Sequence, residues 1–313
     1  MDVSDVLKRS VKRQLRLKRV GAFTGLCSPC ATPSTSRSQA RFGLRLGLNP
    51  HRRRHNEPVA SDPGWVKVQF NLALRARSAR AYWQSVNDVQ EIGGRDAFNL
   101  SSEMLRSREM RRRRLGADVL GELGYQEVPR PFRRQSGPLL LAVLRGERNA
   151  AVLVSLVTAL GRLGIRSAIP SLVGLARHRS PIVRRALAAE LPGCTWSTGE
   201  ERPDRRVTRV LIELTRDPVG EVRGWACFSL AGTIGDGPEI RAALWDRMRD
   251  RHYDTHVDAL RALAIRRDPR VHQPLRDAVG VIGIRRFGSW VMDDLVEYAK
   301  SVRDKQLLKA LES

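Results

Sequence analysis

The sequence predicts an all-α protein, an α-solenoid in which about six helical hairpins follow one another. Apolar residues recur every three or four positions over most of residues 79–279, as in helices with one buried face. Each hairpin consists of a first and a second helix. The last large apolar residue of each first helix lies 28 to 43 residues from that of the next hairpin, which is the length of a two-helix repeat. Aromatic residues make up only 5% of the chain, which favours a helical core of Leu, Ala and Val.

The clearest hairpin is the fifth, over residues 217–248. Asp217 is a good N-cap residue, and Pro218 suits the first helical position because its missing N–H has no intrahelical partner there. Apolar residues then follow at four-residue steps along one helix face: Val222, Ala226, Leu230 and Ile234. The glycines and the proline of residues 235–238 end this helix and start the second one, over residues 239–248.

The same pairing of helices is predicted along the rest of the chain. The other hairpins are residues 79–93 with 96–106, 109–124 with 138–145, 149–164 with 167–177, 180–192 with 205–216, and 254–267 with 270–279. We therefore predict a repeat array over residues 65–279. Residues 280–313 form a C-terminal helical cap, with Trp290, Leu295, Leu307 and Leu311 as its apolar contacts.

Residues 1–64 differ from the array and predict a disordered basic tail. They hold 13 Lys and Arg against four Asp and Glu, in a chain of net charge +23, and residues 28–38 show no apolar periodicity. A nucleic-acid arm, a membrane-surface helix over residues 2–20 and a misassigned start codon remain open. Two cysteine and histidine pairs, Cys27 with Cys30 and His51 with His55, are spaced too widely for a zinc finger, so no metal is predicted.

Two stretches carry a family resemblance. Asp217…Val222-Arg223 and Ser180…Val183-Arg184 resemble the Asp…Val-Arg…Ala…Leu signature of HEAT repeats, most closely the short bacterial type grouped with phycobilisome lyase repeats. The resemblance covers about residues 79–279 and implies a right-handed superhelix of the armadillo and HEAT type.

The resemblance also implies structural roles. Val183 and Val222 would pack between the two helices of a hairpin, whereas Arg184, Arg223 and Asp217 would reach the neighbouring repeat. The sixth hairpin departs from the signature because Val257 is followed by Asp258 instead of Arg. Bonding between repeats is therefore expected to be weaker there.

Exposed arginines and one tryptophan are the candidates for contact with a partner. Four consecutive arginines lie in the second hairpin, where they could meet phosphate or an acidic protein or could simply be solvated. Three further residues lie on second helices, which the resemblance places on the concave side. The predicted partner-binding residues are Arg111, Arg112, Arg113, Arg114, Arg209, Arg241 and Trp245.

No catalytic or cofactor-binding motif is predicted, because the chain has no Gly-rich phosphate loop and its histidines lack paired carboxylates at catalytic spacing. Short apolar runs and cysteines without framework spacing favour a cytoplasmic protein. Our leading hypothesis is a non-enzymatic scaffold for a protein partner. A nucleic-acid-binding protein and an enzyme-associated protein similar to bilin lyases are the alternatives. A second-helix face of mixed charge would favour the scaffold, and one continuous positive stripe would favour nucleic acid.

Overall fold

The computed structural model describes residues 63–92, 94–125, 127, 130–197, 200–201, 204–232, 235–282 and 289–312. They divide after Ala168 into two compact units, here called the first and the second unit. Each unit consists of successive helices packed as hairpins, so the predicted all-α solenoid fold is confirmed. The tail before residue 63, including the cysteine and histidine pairs, lies outside the described residues.

The first unit contains six α-helices. They are α1 (Pro63–Arg75), α2 (Ala79–Ile92), α3 (Gly94–Met104), α4 (Met110–Glu122), α5 (Arg133–Gly146) and α6 (Ala150–Arg162), followed by a 3-10 turn over Arg166–Ala168. Sequence periodicity did not predict α1. Val66, Phe70 and Ala73 lie on its buried side, and α1 packs against α2.

The second unit contains the remaining helices. They are α7 (Ile169–Val173), α8 (Pro181–Glu190), α9 (Arg205–Leu214), α10 (Gly220–Gly232), α11 (Pro238–Trp245), α12 (Tyr253–Ile265), α13 (His272–Ile282), α14 (Ser289–Ser301) and α15 (Lys305–Glu312). Short 3-10 segments cover Gly174–Arg177, Leu191–Thr195 and Pro269–Val271. A two-residue antiparallel ladder joins β1 (Trp196–Ser197) to β2 (Glu200–Glu201) within the long connection before α9.

Side-chain caps and buried faces explain where these helices form. The Asn149 side chain accepts hydrogen bonds from the Ala151 and Val152 amides and begins α6, and Asp204 accepts one from the Arg206 amide and begins α9. On α10, Val222, Ala226 and Leu230 are fully buried, as their four-residue spacing predicts. Ile234 lies outside the described residues.

Two predicted helices differ in the structure. The helix expected over residues 167–177 is only one turn of α-helix between two 3-10 turns, because Pro170 lacks an N–H and Gly174 is a weak helix former. The helix expected to begin at Pro218 begins at Gly220. The Asp217 carboxylate instead accepts a hydrogen bond from the Val219 amide at 2.9 Å and shapes the loop before α10.

Small residues let successive first helices approach closely. A Cβ atom at Gly121 of α4 would lie 2.8 Å from Ala159 Cα of α6. In the second unit, a Cβ atom at Gly220 of α10 would lie 2.6 Å from the His252 ring. Glycine is required at both positions by the distance between the helices.

A buried polar cluster crosses the first helices of the first unit. The Tyr82 hydroxyl donates to Asp118 Oδ2 at 2.6 Å, and Ser155 also hydrogen-bonds to Asp118. Arg162 pairs with Glu122 one turn further along α4. Burial raises the pKa of Asp118. The cluster therefore ties α2, α4 and α6 together within the core.

Candidate partner-binding groove

Three arginines on first helices each bind a carboxylate in the loop before the next first helix, and Arg261 of α12 binds Asp294 within α14. Arg184 Nε and Nη2 donate to Asp217 Oδ2 and Oδ1 at 2.6 and 3.0 Å, and Arg223 donates in the same way to Asp250 at 2.7 and 2.7 Å. In the first unit, Arg113 donates to Glu147 at 2.7 Å. We call the three pairs with a loop carboxylate the arginine–carboxylate ladder.

The remaining donor of each ladder arginine also lies within the fold. Nη1 of Arg184 donates to the His178 carbonyl at 2.8 Å, and Nη1 of Arg223 donates to the Asp217 carbonyl at 2.8 Å. Val183 and Val222, which precede these arginines, are fully buried. These side chains connect one repeat to the next and offer little to a partner.

The four consecutive arginines of α4 therefore divide into two pairs. Arg113 belongs to the ladder, and the Arg114 guanidinium lies 4.9 Å from the centre of the Tyr82 ring and 3.6 Å from Asp118. Arg111 is exposed and Arg112 is half-buried, and neither pairs with a carboxylate among the described residues. Arg111 and Arg112 are therefore the two whose charge is not already paired within this part of the chain, whereas the partly exposed Arg114 is held beside Tyr82 and Asp118.

Arg241 and Trp245 of α11 are also held by neighbouring side chains. Arg241 Nη2 donates to the Arg266 carbonyl at 2.7 Å, and its guanidinium pairs with Asp236 and Asp268. Trp245 is half-buried, with the Arg270 guanidinium 4.8 Å from its ring centre. A hydrogen bond from Arg270 to the carboxylate lowers the pKa of Asp268 to about 2.

Arg209, the last predicted contact residue, lines an open groove of about 550 Å³ in the second unit. The groove is bordered by Ala176, Arg177, Arg184, Arg209, Ile212, Glu213, Leu214, Arg216, Asp217 and Pro218. Ala176 and Leu214 are buried at its base, whereas Arg209 and Arg216 are exposed at its edge. The helix α9 provides four of these ten residues, and the segment that follows it provides three more.

The outer face of α9 is a regular stripe. Arg205, Arg209, Ile212 and Arg216 follow at steps of four, three and four residues, which places them on one side of the helix and its last turn. The opposite side is buried and consists of Val207, Val210, Leu211 and Leu214. The same spacing is visible in the sequence, although the predicted set contains Arg209 and not Arg205 or Arg216.

Charges of both signs border the groove. Arg177 donates to Glu213 at 2.8 Å, and Arg216 lies 4.0 Å from Asp246. Within the described part of the chain, Arg205 and Arg209 have no carboxylate within 4 Å. The groove therefore combines paired charges and an apolar base with one cation that is unpaired in this part of the chain, Arg209, and Arg205 lies on the same helix outside the groove.

Potential metal ligands and thiols among the described residues are dispersed or buried. No three His, Cys, Asp or Glu side chains among them come together as a metal site. Cys194 and Cys227 are buried thiols, and burial raises the pKa of Cys194 to about 12, which keeps it protonated and a poor nucleophile. None of the helices in the described ranges is long and apolar enough to cross a membrane.

One relative of known structure supports the fold, and a second structural likeness is weaker. No protein-family model matches the chain. Protein YibA of Escherichia coli (strain K12) is 26% identical over 249 residues, which are 78% of this chain and 80% of YibA. The crystal structure of YibA aligns with a TM-score of 0.57 at 24% identity, over 79% of this chain and 84% of that chain. A designed armadillo repeat protein, solved with the peptide (KR)4, aligns with a TM-score of 0.38 at 13% identity, over 70% and 98% of the two chains.

Proposed function

We propose that this chain is a non-enzymatic scaffold of the bacterial HEAT-like type that binds a protein partner in the cytoplasm. The contact surface is the groove beside α9, with Arg209 as its central residue. The observation that supports this most is the mixed charge of the groove, where Glu213 lies among Arg177, Arg209 and Arg216, and Asp246 lies 4.0 Å from Arg216. Protein interfaces combine an apolar centre with a polar rim in this way.

The same charges argue against a nucleic acid as the main ligand of this groove. A phosphate backbone would meet the carboxylates of Glu213 and Asp246 as well as the arginines, and like charges repel. The exposed pair Arg111 and Arg112 provides a second basic surface in the first unit, which a partner with an acidic patch could also use.

Site-specific crosslinking tests the proposal. The full chain would carry the photoreactive residue benzoylphenylalanine in place of Ile212 in the groove or, as control, in place of Ile182, an exposed isoleucine that does not line it. Illumination in cells of the native host should give one discrete protein adduct from position 212 and none from 182. The adduct should survive nuclease treatment.

Charge variants complete this test. Arg209→Glu with Arg216→Glu should abolish the adduct, whereas Arg80→Glu with Arg106→Glu, which changes the net charge equally at exposed positions outside the groove, should retain it. Adducts of the same proteins from both positions, or recovery that depends on nucleic acid, would show that the groove is not a protein-binding site.

A further inference from the structure

We infer that the groove beside α9 binds an acidic segment in a polyproline II conformation, with carboxylates three residues apart. This inference rests on the proposed function and names the chemistry of the partner. The cations that carry it are Arg209 of α9 and Arg216 of the turn after α9, which border the groove together with Ile212. Arg205 extends the same stripe by one helical turn.

The spacing of the two arginines favours one conformation of the ligand. Arg209 lies in α9 and Arg216 lies two residues beyond its end, in a hydrogen-bonded turn, so their seven-residue step corresponds to about 10.5 Å at the helical rise of 1.5 Å per residue. A polyproline II helix has three residues per turn and a rise of 3.1 Å, so side chains three positions apart share one face about 9 Å from each other. A β-strand places same-face side chains about 7 or 13 Å apart, which fits the pair less well.

The charges of the groove also favour an acidic peptide over a polyphosphate as ligand. Arg177 is paired with Glu213, and Arg184 is paired with Asp217, so these carboxylates keep their own cations when a ligand enters. A peptide can place uncharged residues opposite Glu213, whereas a nucleic acid carries a charge on every unit. Ile212 offers an apolar contact to the residues between two ligand carboxylates.

Guanidinium groups favour carboxylates for a geometric reason. Their planar N–H donors can bind both oxygens of one carboxylate, and such bidentate pairs are the stronger type of ion pair. Among the described residues Arg209 has no carboxylate within 4 Å, since Glu213 of the next helical turn pairs with Arg177, and Arg216 lies 4.0 Å from an exposed Asp246. Both arginines can therefore turn towards a ligand without breaking a buried bond.

Fluorescence anisotropy with two synthetic peptides tests this inference on the full chain. The probe is a labelled nonapeptide with Glu at every third position and Pro and Ala between, and the control peptide has the same composition with its three Glu adjacent. The probe should bind about tenfold more tightly than the control peptide, because only its carboxylates match both arginines. Equal affinities would overturn the inference.

Variants tie the binding to the two arginines. Arg209→Gln with Arg216→Gln should weaken probe binding about tenfold, and Arg80→Gln with Arg106→Gln should leave it unchanged. Equal losses in the two double variants would overturn the inference, as would tighter binding of a labelled oligothymidine through Arg209 and Arg216. The thermal unfolding midpoint of both variants should match the wild type and confirm that they fold.

The two proposals fail in different ways. If position 212 crosslinks a discrete protein but the spaced and adjacent peptides bind equally, the groove is a protein-binding site of another chemistry and only this inference is wrong. If position 212 gives no specific protein adduct, the proposed function of the groove is wrong as well.

Discussion

The Arg184 guanidinium holds both carboxylate oxygens of Asp217, which lies 33 residues further along the chain. Asp217 is only 4% exposed and also accepts the Val219 amide, so one carboxylate fixes an arginine and shapes the next loop. Asp250 repeats both tasks, since it binds Arg223 and accepts the His252 amide at 2.9 Å. Each pair thus fixes the next loop to its neighbouring helix.

We expect Asp217→Ala to lower the free energy of unfolding by about 3 kcal/mol or more, because it leaves the Arg184 charge largely buried without its partner. Urea unfolding followed by circular dichroism measures the loss. The exposed pair Arg177 and Glu213 provides the control, and Glu213→Ala should change the free energy by about 1 kcal/mol at most.

A double-mutant cycle on Arg184 and Asp217 separates the pair from other effects of each change. The coupling energy should exceed about 1 kcal/mol, as for residues in direct contact. Additive effects of the two substitutions would contradict a structural role for this ladder pair.

His256 replaces the ladder arginine in α12. It follows Asp250 by six residues, as Arg223 follows Asp217. The ring is buried, its Nδ1 lies 2.7 Å from the Met248 carbonyl, and Nε2 has no hydrogen-bond partner among the described residues. Burial lowers the pKa of His256, so the neutral ring with a proton on Nδ1 fits this site.

We expect this histidine to make stability depend on pH. Below about pH 6.5 the unfolded chain binds a proton at His256 that the folded chain does not bind, so the free energy of unfolding falls as the pH falls towards the lower folded pKa. Urea unfolding at pH 7.5 and pH 5.5 should show a smaller decrease for His256→Gln than for the wild type. Equal decreases for His256→Gln and the wild type would contradict this role of His256.

The periodicity of apolar residues predicts the helices in which these residues recur every three or four positions. It does not predict α1, whose apolar residues lack this spacing. The burial of Val222, Ala226 and Leu230 is predictable because their four-residue spacing can be seen in the sequence alone. In α1 the apolar residues alternate instead, from Val66 to Leu74, as expected of a strand. Val68 and Leu72 therefore remain about half exposed in a helix whose other side is buried.

Contacts between repeats depend on loops whose course the sequence does not define. The signature places the acid of the sixth repeat at Asp254, but Asp250 binds Arg223 and corresponds to Asp217 in the structure. Likewise, Arg113 and Arg241 look like available cations in the sequence, and only the fold brings Glu147 and Asp268 to them. Exposed arginines without partners, such as Arg209, are distinguished by the tertiary structure alone.

The close approach of α4 and α6 predicts that Gly121→Ala is destabilising. The added Cβ would lie 2.8 Å from Ala159 Cα, and backbone atoms cannot move aside as a flexible side chain can. The helices must separate, at an expected loss of about 1–3 kcal/mol in the free energy of unfolding. Gly146→Ala, in α5 of the same unit, meets nothing within 4 Å and should be neutral or slightly stabilising. Equal effects in urea unfolding would contradict this packing.

Substitution of Arg241 is predicted to lower the stability of the fold, and substitution of Arg209 is predicted to weaken binding of the partner. Arg241→Gln removes the bonds to Asp236, Asp268 and the Arg266 carbonyl, so we expect a loss of about 1–3 kcal/mol in the free energy of unfolding. Arg209→Gln removes no bond within the described residues and should change that free energy by less than about 0.5 kcal/mol.

The yield of the crosslinked adduct from position 212 should depend on Arg209 and not on Arg241, the reverse of their effects on stability. Arg209→Gln should reduce it, because this side chain borders the groove, whereas Arg241→Gln should retain it at temperatures where the variant stays folded. Loss of the adduct in Arg241→Gln at such a temperature would place Arg241 in the partner contact. Its donors would then have to leave Asp236 and Asp268 when the partner binds.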